Sequence, residues 1–120
     1  MNINKLTVKA QEAVVEGQAL ARESGHAEFT PEDFGVERAP LSELIGGDVD
    51  ANVEITRSIL AGKGGPRRDA AIINAAVGLV AADRAEGFVE GVALATESVD
   101  SGAAAEVLER VVSRSRELAA

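Results

Sequence analysis

The sequence predicts an all-α fold, a single domain over residues 1–120 in which about five helices form a small bundle around a buried central helix at 66–82. Three observations carry the prediction. No stretch alternates apolar and polar residues with the period of two that marks a half-buried strand. Apolar residues instead recur at three- and four-residue spacings, the repeat of one helix face. The periodic segments also begin and end at capping residues, prolines and glycines. Composition sets the texture of the core. With 46% hydrophobic residues, three Phe and neither Trp nor Tyr, space has to be filled by close approach of slender helices. Such a chain builds thin layers and leaves apolar surface over.

Lys5 to Ser24 is the first periodic segment, with Leu6, Ala10, Ala13, Gly17, Leu20 and Ala21 on one face and Val8, Val14 and Val15 widening it. Asn4 suits its N-cap and Gly25 the position after its last turn. Gly17 costs this helix about 1 kcal/mol relative to alanine, so either a partner backbone approaches there or the residue is tolerated. Thr30-Pro31-Glu32-Asp33 has the form of a helix start, with a capping hydroxyl, a proline in the first turn and an acid three residues on. Phe34 and Gly35 break it. Val36 to Gly47 reads as a connector, with one short helical turn around Leu41 to Ile45.

Asp48 then caps a helix from Val49 to about Ala61, closed by Gly62. The central helix follows, opened by Gly65 and Pro66, with Asp69 placed favourably for the helix dipole. Ala71, Ala75, Gly78 and Ala82 make one stripe of small residues, and Ile72, Ile73, Val77, Leu79 and Val80 fill the neighbouring faces. A helix apolar nearly all round is expected to be buried. Asn74 interrupts it and is expected to bond backbone across a helix contact, because an unpartnered buried amide costs about 1–3 kcal/mol. Asp83 to Glu86 turns the chain. Phe88, Val92, Ala95 and Val99 share a face of the next helix, Gly102 interrupts, and a last helix to about Leu118 carries Ala104, Leu108 and Val111, with Glu106 and Arg110 spaced to pair.

Charge and residue usage exclude several functions. A net charge of -8 opposes binding to nucleic acid or an anionic membrane, since phosphate contacts need clustered Lys and Arg. The apolar run of the central helix is shorter than the roughly 20 residues that span a bilayer. No signal-peptide h-region opens the chain, so a soluble, cytoplasmic protein is expected. Without cysteine there is neither disulfide nor thiolate chemistry. His26 is the sole histidine, which removes any His-based metal cluster or triad.

The remaining candidates are weighed against plainer readings. Gly46-Gly47-Asp48 precedes a helix N-terminus, where N–H groups could face an anion, but Asp48 as a cap already occupies that position. Lys63, Arg67 and Arg68, with glycines at a helix start, make a candidate anion site; a solvated structural turn is preferred, because no metal ligand or base accompanies them. Asp48 with Asp50, or Glu32 with Asp33, could hold a hard cation weakly, yet capping explains these acids. No catalytic, metal or cofactor-binding residue is assigned.

Two resemblances bear on function. LTVKAQEAVVEGQALARESGHAEFT, about residues 3–30, resembles the first helix and turn of the N-terminal domain of Clp-type disaggregases, which implies weak apolar contact with other chains. ATP-driven unfolding is excluded, since the glycine-rich phosphate loop with its lysine and Ser/Thr is absent. Residues 31–112, with PEDFG, the GGD before a helix, GPRRD leading into INAA, and EGVALATESVDSGAA, resemble the C-terminal end of anthranilate phosphoribosyltransferase. That resemblance implies helices that pack on the sheet of a large α/β domain. The family's loop for phosphoribosyl pyrophosphate, its magnesium-binding acidic pair and its anthranilate contacts lie earlier in that family, so no catalytic residue carries over.

Taken together, the two resemblances suggest a chimera, shuffled or engineered, joined near Glu28 to Pro31. The expected role is folding and self-association as a homo-oligomer, most simply a dimer, with no enzymatic function, no cofactor, and no nucleic acid or membrane partner. Two alternatives stand beside it: a truncated anthranilate phosphoribosyltransferase fragment lacking its active site, and a weak peptide-binding module.

Overall fold

A computed structural model describes residues 7–23, 25 and 30–120. Among these there are five α-helices and no strand: α1 (Val8–Glu23), α2 (Val49–Leu60), α3 (Pro66–Ala81), α4 (Phe88–Asp100) and α5 (Ala103–Ala119). Short 3-10 helices at Pro31–Phe34 and Leu41–Glu43 stand at the helix start expected after Thr30 and at the helical turn expected in the connector. Asn4, Leu6, Ser24, His26 and the junction at Glu28 lie outside the described residues, as do the side chains of Leu20 and Ala21.

The capping chemistry acts as the sequence predicts. Asp48 accepts the Ala51 N–H at 2.9 Å, and Asp33 accepts the Thr30 N–H at 2.6 Å. Gly62 and Gly102 take φ of 85° and 84°, the left-handed region that ends a helix without a Cβ penalty. Pro66 opens α3 after Gly65 at φ 120°.

Antiparallel α3 and α4 form the spine. Their buried faces are Ile72, Ala76 and Val80 on one helix and Phe88, Gly91 and Ala95 on the other. Contact is close because the residues are small. A Cβ on Gly91 would stand 2.9 Å from the Ala76 carbonyl oxygen and 3.1 Å from its Cα. Ala13 and the buried Gly17 face inward from α1, which packs on α3. Phe34 closes the cluster of Ala13, Val80, Ala85 and Phe88, its ring 5.2 Å from that of Phe88 in an edge-to-face arrangement at 66°.

The core is thin, as the scarcity of aromatics implies. The chain measures 50 × 31 × 28 Å with a radius of gyration of 16.0 Å, against about 14 Å for a compact globule of this length. The central helix is not buried all round. Ala71, Ala75, Gly78 and Ala82 face outward, because α4 and α1 together cover only the opposite side. Asn74 is exposed too, and its amide donates to the Ala70 carbonyl one turn back at 2.7 Å, not across a helix contact. In α5 the ion pair forms between Arg114 and Glu117 at 3.0 Å, while no pair joins Glu106 to Arg110. No helix of the described residues is long and apolar enough to cross a membrane.

Candidate functional site

The turn between α2 and α3 brings Lys63, Arg67 and Arg68 to one small pocket of about 260 Å³, which Ser58 and Glu43 also line. Two of the three cations already have protein partners. Arg67 reaches back to the Ile45 carbonyl, donating from Nη2 at 2.8 Å, and so pins the connector to the start of α3. Arg68 donates from Nη2 to Asp100 Oδ1 at 2.6 Å, with its side chain 17% exposed and its buried Nε lacking a hydrogen-bond partner. Lys63 is exposed. An anion here would meet Lys63 and the outer edges of two arginines, with the Glu43 carboxylate opposing it.

Gly46-Gly47 is closed differently. The Asn52 side chain accepts the Gly47 N–H at 3.0 Å and donates to the Gly47 carbonyl at 2.9 Å. That N–H is therefore not offered to a ligand. Nothing in the sequence spacing singled out Asn52, which acts from the first turn of α2.

Two further concavities were not legible in the residue pattern. Beside α1 and the start of α4 lies a trough of about 780 Å³ with Glu16, Glu23, Glu86 and Glu90 on its walls. Glu90 is occupied in accepting the Glu86 N–H at 2.7 Å, and no group of three acids or histidines among the described residues is placed to hold a metal ion. The other is an apolar groove of about 660 Å³ bounded by α2, α3, α4 and the start of α5. Ile59 and Leu60 form one wall and Leu94 and Val99 the other, with Ala75 and Gly78 as the floor. Ala71, Ala75 and Gly78 of the small-residue stripe that reads as a buried contact line this groove. Small side chains let neighbouring helices stand above it, and the result is a trough lined with methyl groups.

Ion pairs at the periphery hold the loops. Lys9 bridges from α1 to Asp83 at 2.7 Å and to Glu12 at 2.9 Å. The bond to Asp83, then that to Glu12, raises the Lys9 ammonium above its usual range. Asp83 sits at φ 56°, the left-handed conformation that Asp tolerates better than most, at the turn closing α3. Glu32 pairs with Arg38 at 3.0 Å, which with the Thr30 contact lowers its carboxyl to about 2. Of the acids read as weak cation ligands, Glu32, Asp33 and Asp48 thus have other partners.

Comparison with known proteins finds one family. The model of the glycosyl transferase family, a/b domain, matches residues 2–105. Anthranilate phosphoribosyltransferase of a Geobacter species is 50% identical over 91 residues, 76% of this chain and 26% of the relative. The same enzyme of Citrifermentans bemidjiense is 51% identical over 88 residues, 73% of this chain and 25% of the relative. That of Symbiobacterium thermophilum is 52% identical over 81 residues, 68% and 24% of the two chains. This chain therefore spans about a quarter of the length of the curated relatives it matches. No solved structure matches it.

These findings correct two expectations. One family model runs through the first helix and the supposed junction alike, so a chimera with a disaggregase helix is not supported, and neither is an engineered origin. The similar proteins are anthranilate phosphoribosyltransferases, of which this chain spans a fragment, and this overturns the expectation of a chain with no enzymatic function.

Proposed function

The chain belongs to the glycosyl transferase family, a/b domain, and from this premise we propose that it is the helical segment of an anthranilate phosphoribosyltransferase. In that role the segment shapes and steadies an enzyme that moves a phosphoribosyl group onto anthranilate. One observation carries the reading. The groove over Ala75 and Gly78 is apolar, open and walled by four helices, in a chain whose family is described as an α/β domain and whose described residues are all helical. Helices of such a domain cover a sheet with their apolar faces. A sheet strand or its flanking loop would bury that trough, and burying Ile59, Leu60, Leu94 and Val99 stabilises by about 25 cal/mol per Å² of apolar surface removed from water.

The reading is supported further by the cation turn. Arg67 and Arg68 lock α3 to the connector and to α4, which holds the groove walls at fixed separation. A rigid wall of this kind is what a neighbouring site needs in order to keep its reacting groups in place.

A segment exchange tests the proposal. Residues 31–112 of this chain replace the matched segment of the Symbiobacterium thermophilum enzyme, and consumption of anthranilate with phosphoribosyl pyrophosphate and magnesium is followed. The hybrid is expected to turn over, and the same hybrid carrying Gly78→Leu is expected to lose most of that activity. A folded hybrid that is inactive, or one indifferent to a leucine in the groove floor, would refute the role.

A further inference from the structure

The groove over Ala75 and Gly78 holds a single charge, and that charge says what has to cover it. The inference rests on the reading of the groove as the seat of a sheet strand or its flanking loop, and it names the chemistry of that segment. Of the side chains that line the groove, Arg84 alone is charged and Ser98 alone is otherwise polar. They stand at opposite ends. α3 and α4 run antiparallel, with Arg68 paired to Asp100 and Gly91 set against Ala76, so Ser98 lies toward Ala71, while Arg84 follows Leu79 at the far end. From Ala71 to Leu79 the floor is about 12 Å long at about 1.5 Å per helical residue. That is the span of about four residues of strand.

Arg84 is exposed as the chain stands, and no acid among the described residues pairs with it. Its neighbours are committed elsewhere. Asp83 takes Lys9, and Glu86 and Glu90 line a different trough. On the helices that wall the groove, Asp100 takes Arg68 and Glu109 takes Arg57, and no acid of any helix lines the groove itself. A segment laid over the groove removes water from the Leu79 end. A guanidinium that loses its hydration without gaining a partner is costly. The partner has to arrive with the segment, and the planar fork of Arg84 matches the two oxygens of a carboxylate better than it matches a single acceptor. We propose that the segment closing the groove is an extended stretch of about four residues, aliphatic toward Ala75 and Gly78 and bearing an Asp or Glu at the Leu79 end that pairs with Arg84.

The Symbiobacterium thermophilum hybrid carrying residues 31–112 tests this, with melting temperature read beside turnover. Arg84→Glu is expected to lower the melting temperature of the hybrid by at least about 5 °C, and by more than Arg84→Lys, which keeps the charge and loses the fork. In the isolated chain, where the guanidinium faces water, Arg84→Glu should shift it by no more than about 2 °C. In the Arg84→Glu hybrid, each Asp and Glu of the recipient enzyme outside the exchanged segment is then changed in turn to Arg, and one such change is expected to restore most of the loss. A hybrid that Arg84→Glu prevents from folding counts as the same loss, and the scan then reads recovery of folded enzyme. An Arg84→Glu effect no larger in the hybrid than in the isolated chain would overturn the proposal. So would a loss that no acid-to-arginine change relieves, which would give the guanidinium a backbone carbonyl instead. A hybrid that is active, sensitive to Gly78→Leu and indifferent to Arg84→Glu leaves the groove reading standing and refutes the carboxylate alone. Indifference to both substitutions refutes the groove reading, and the carboxylate with it.

Discussion

Arg68 in the first turn of α3 and Asp100 at the end of α4 meet at 2.6 Å, and this pair sets the antiparallel register of the two helices that form the spine. Gly91 against Ala76 lies in the same register further along. The two partners are unequally placed, since Asp100 is 54% exposed and Arg68 17%. Removing the acid strands a guanidinium whose Nε is already without a partner; removing the guanidinium leaves a carboxylate that water can reach. Arg68→Met, which keeps the apolar stem, is expected to cost about 1 kcal/mol, and Asp100→Ala about 2 kcal/mol. Urea unfolding decides the order, and an Arg68→Met loss exceeding that of Asp100→Ala would contradict this account.

Gly91 and Gly78 give opposite expectations for the same substitution. A methyl on Gly91 meets the Ala76 backbone at 2.9 Å, and backbone cannot step aside as a flexible side chain can. Gly91→Ala should therefore force α3 and α4 apart and cost about 2–3 kcal/mol. A methyl on Gly78 meets nothing within 4 Å, so Gly78→Ala should stabilise the isolated chain by about 0.5–1 kcal/mol through helix propensity. Thermal unfolding of both variants checks the pair of signs.

Much of the fold was legible because its boundaries are written in local chemistry. Asp48, Gly62, Pro66 and Gly102 act within one turn of themselves, and the structure has each where the sequence predicts it. The facing of α3 was not legible. Periodicity orients a helix by contrast between an apolar and a polar side, and a helix apolar all round offers no contrast. The cation cluster at Lys63, Arg67 and Arg68 was visible as a run, but the meaning of its arginines lies in Ile45 and Asp100, 22 and 32 residues away. The groove escaped notice for a related reason: a trough is a property of four helices, while its sequence trace is a few small residues that equally describe a tight contact.

Acid should loosen the connector before it reaches the spine. Glu32 is held well below the usual carboxylate range, to about 2, by Arg38 first and the Thr30 hydrogen bond second. Because its pKa is depressed on folding, the contribution is present above the unfolded value near 4.5 and is lost as pH falls through about 2. The pair is solvent-exposed, so salt should shrink the effect. Melting temperatures of the parent and Glu32→Gln should converge as pH is lowered from 5 toward 2 in low salt. Curves that stay parallel over that window would show that the pair contributes nothing.

Alkali acts on the Lys9 ion pairs. Lys9 is raised above 10.5 by Asp83, then Glu12, so its tie between α1 and the turn after α3 holds below that value and is lost as pH rises through the raised pKa. Lys9→Met should remove this alkaline dependence and leave stability at pH 5 nearer that of the parent than the substitution Asp83→Lys does. A comparison of the three melts at pH 9 and pH 11 decides it, because a parent whose advantage over Lys9→Met does not shrink between the two has some other source for it.

The Phe34–Phe88 contact should separate local from global stability. Phe88 is 4% exposed and anchors α4, whereas Phe34 is 8% exposed and belongs to the 3-10 helix Pro31–Phe34 that leads into the connector. In a core this thin no other large side chain can move in to fill the space of either ring. Phe88→Ala should cost about 3–5 kcal/mol and unfold the whole chain. Phe34→Ala removes the edge-to-face partner, worth about 0.5–1.5 kcal/mol beyond its area, but leaves the α3 and α4 interface untouched. Hydrogen exchange is the discriminating measurement. With Phe34→Ala, the Asp33 and Gly35 amides, bonded to Thr30 and Glu32, should lose protection while the amides of Ala76 and Ala95 keep most of theirs. Equal loss across both sets would mean that the connector is part of the cooperative core and not a strap laid over it.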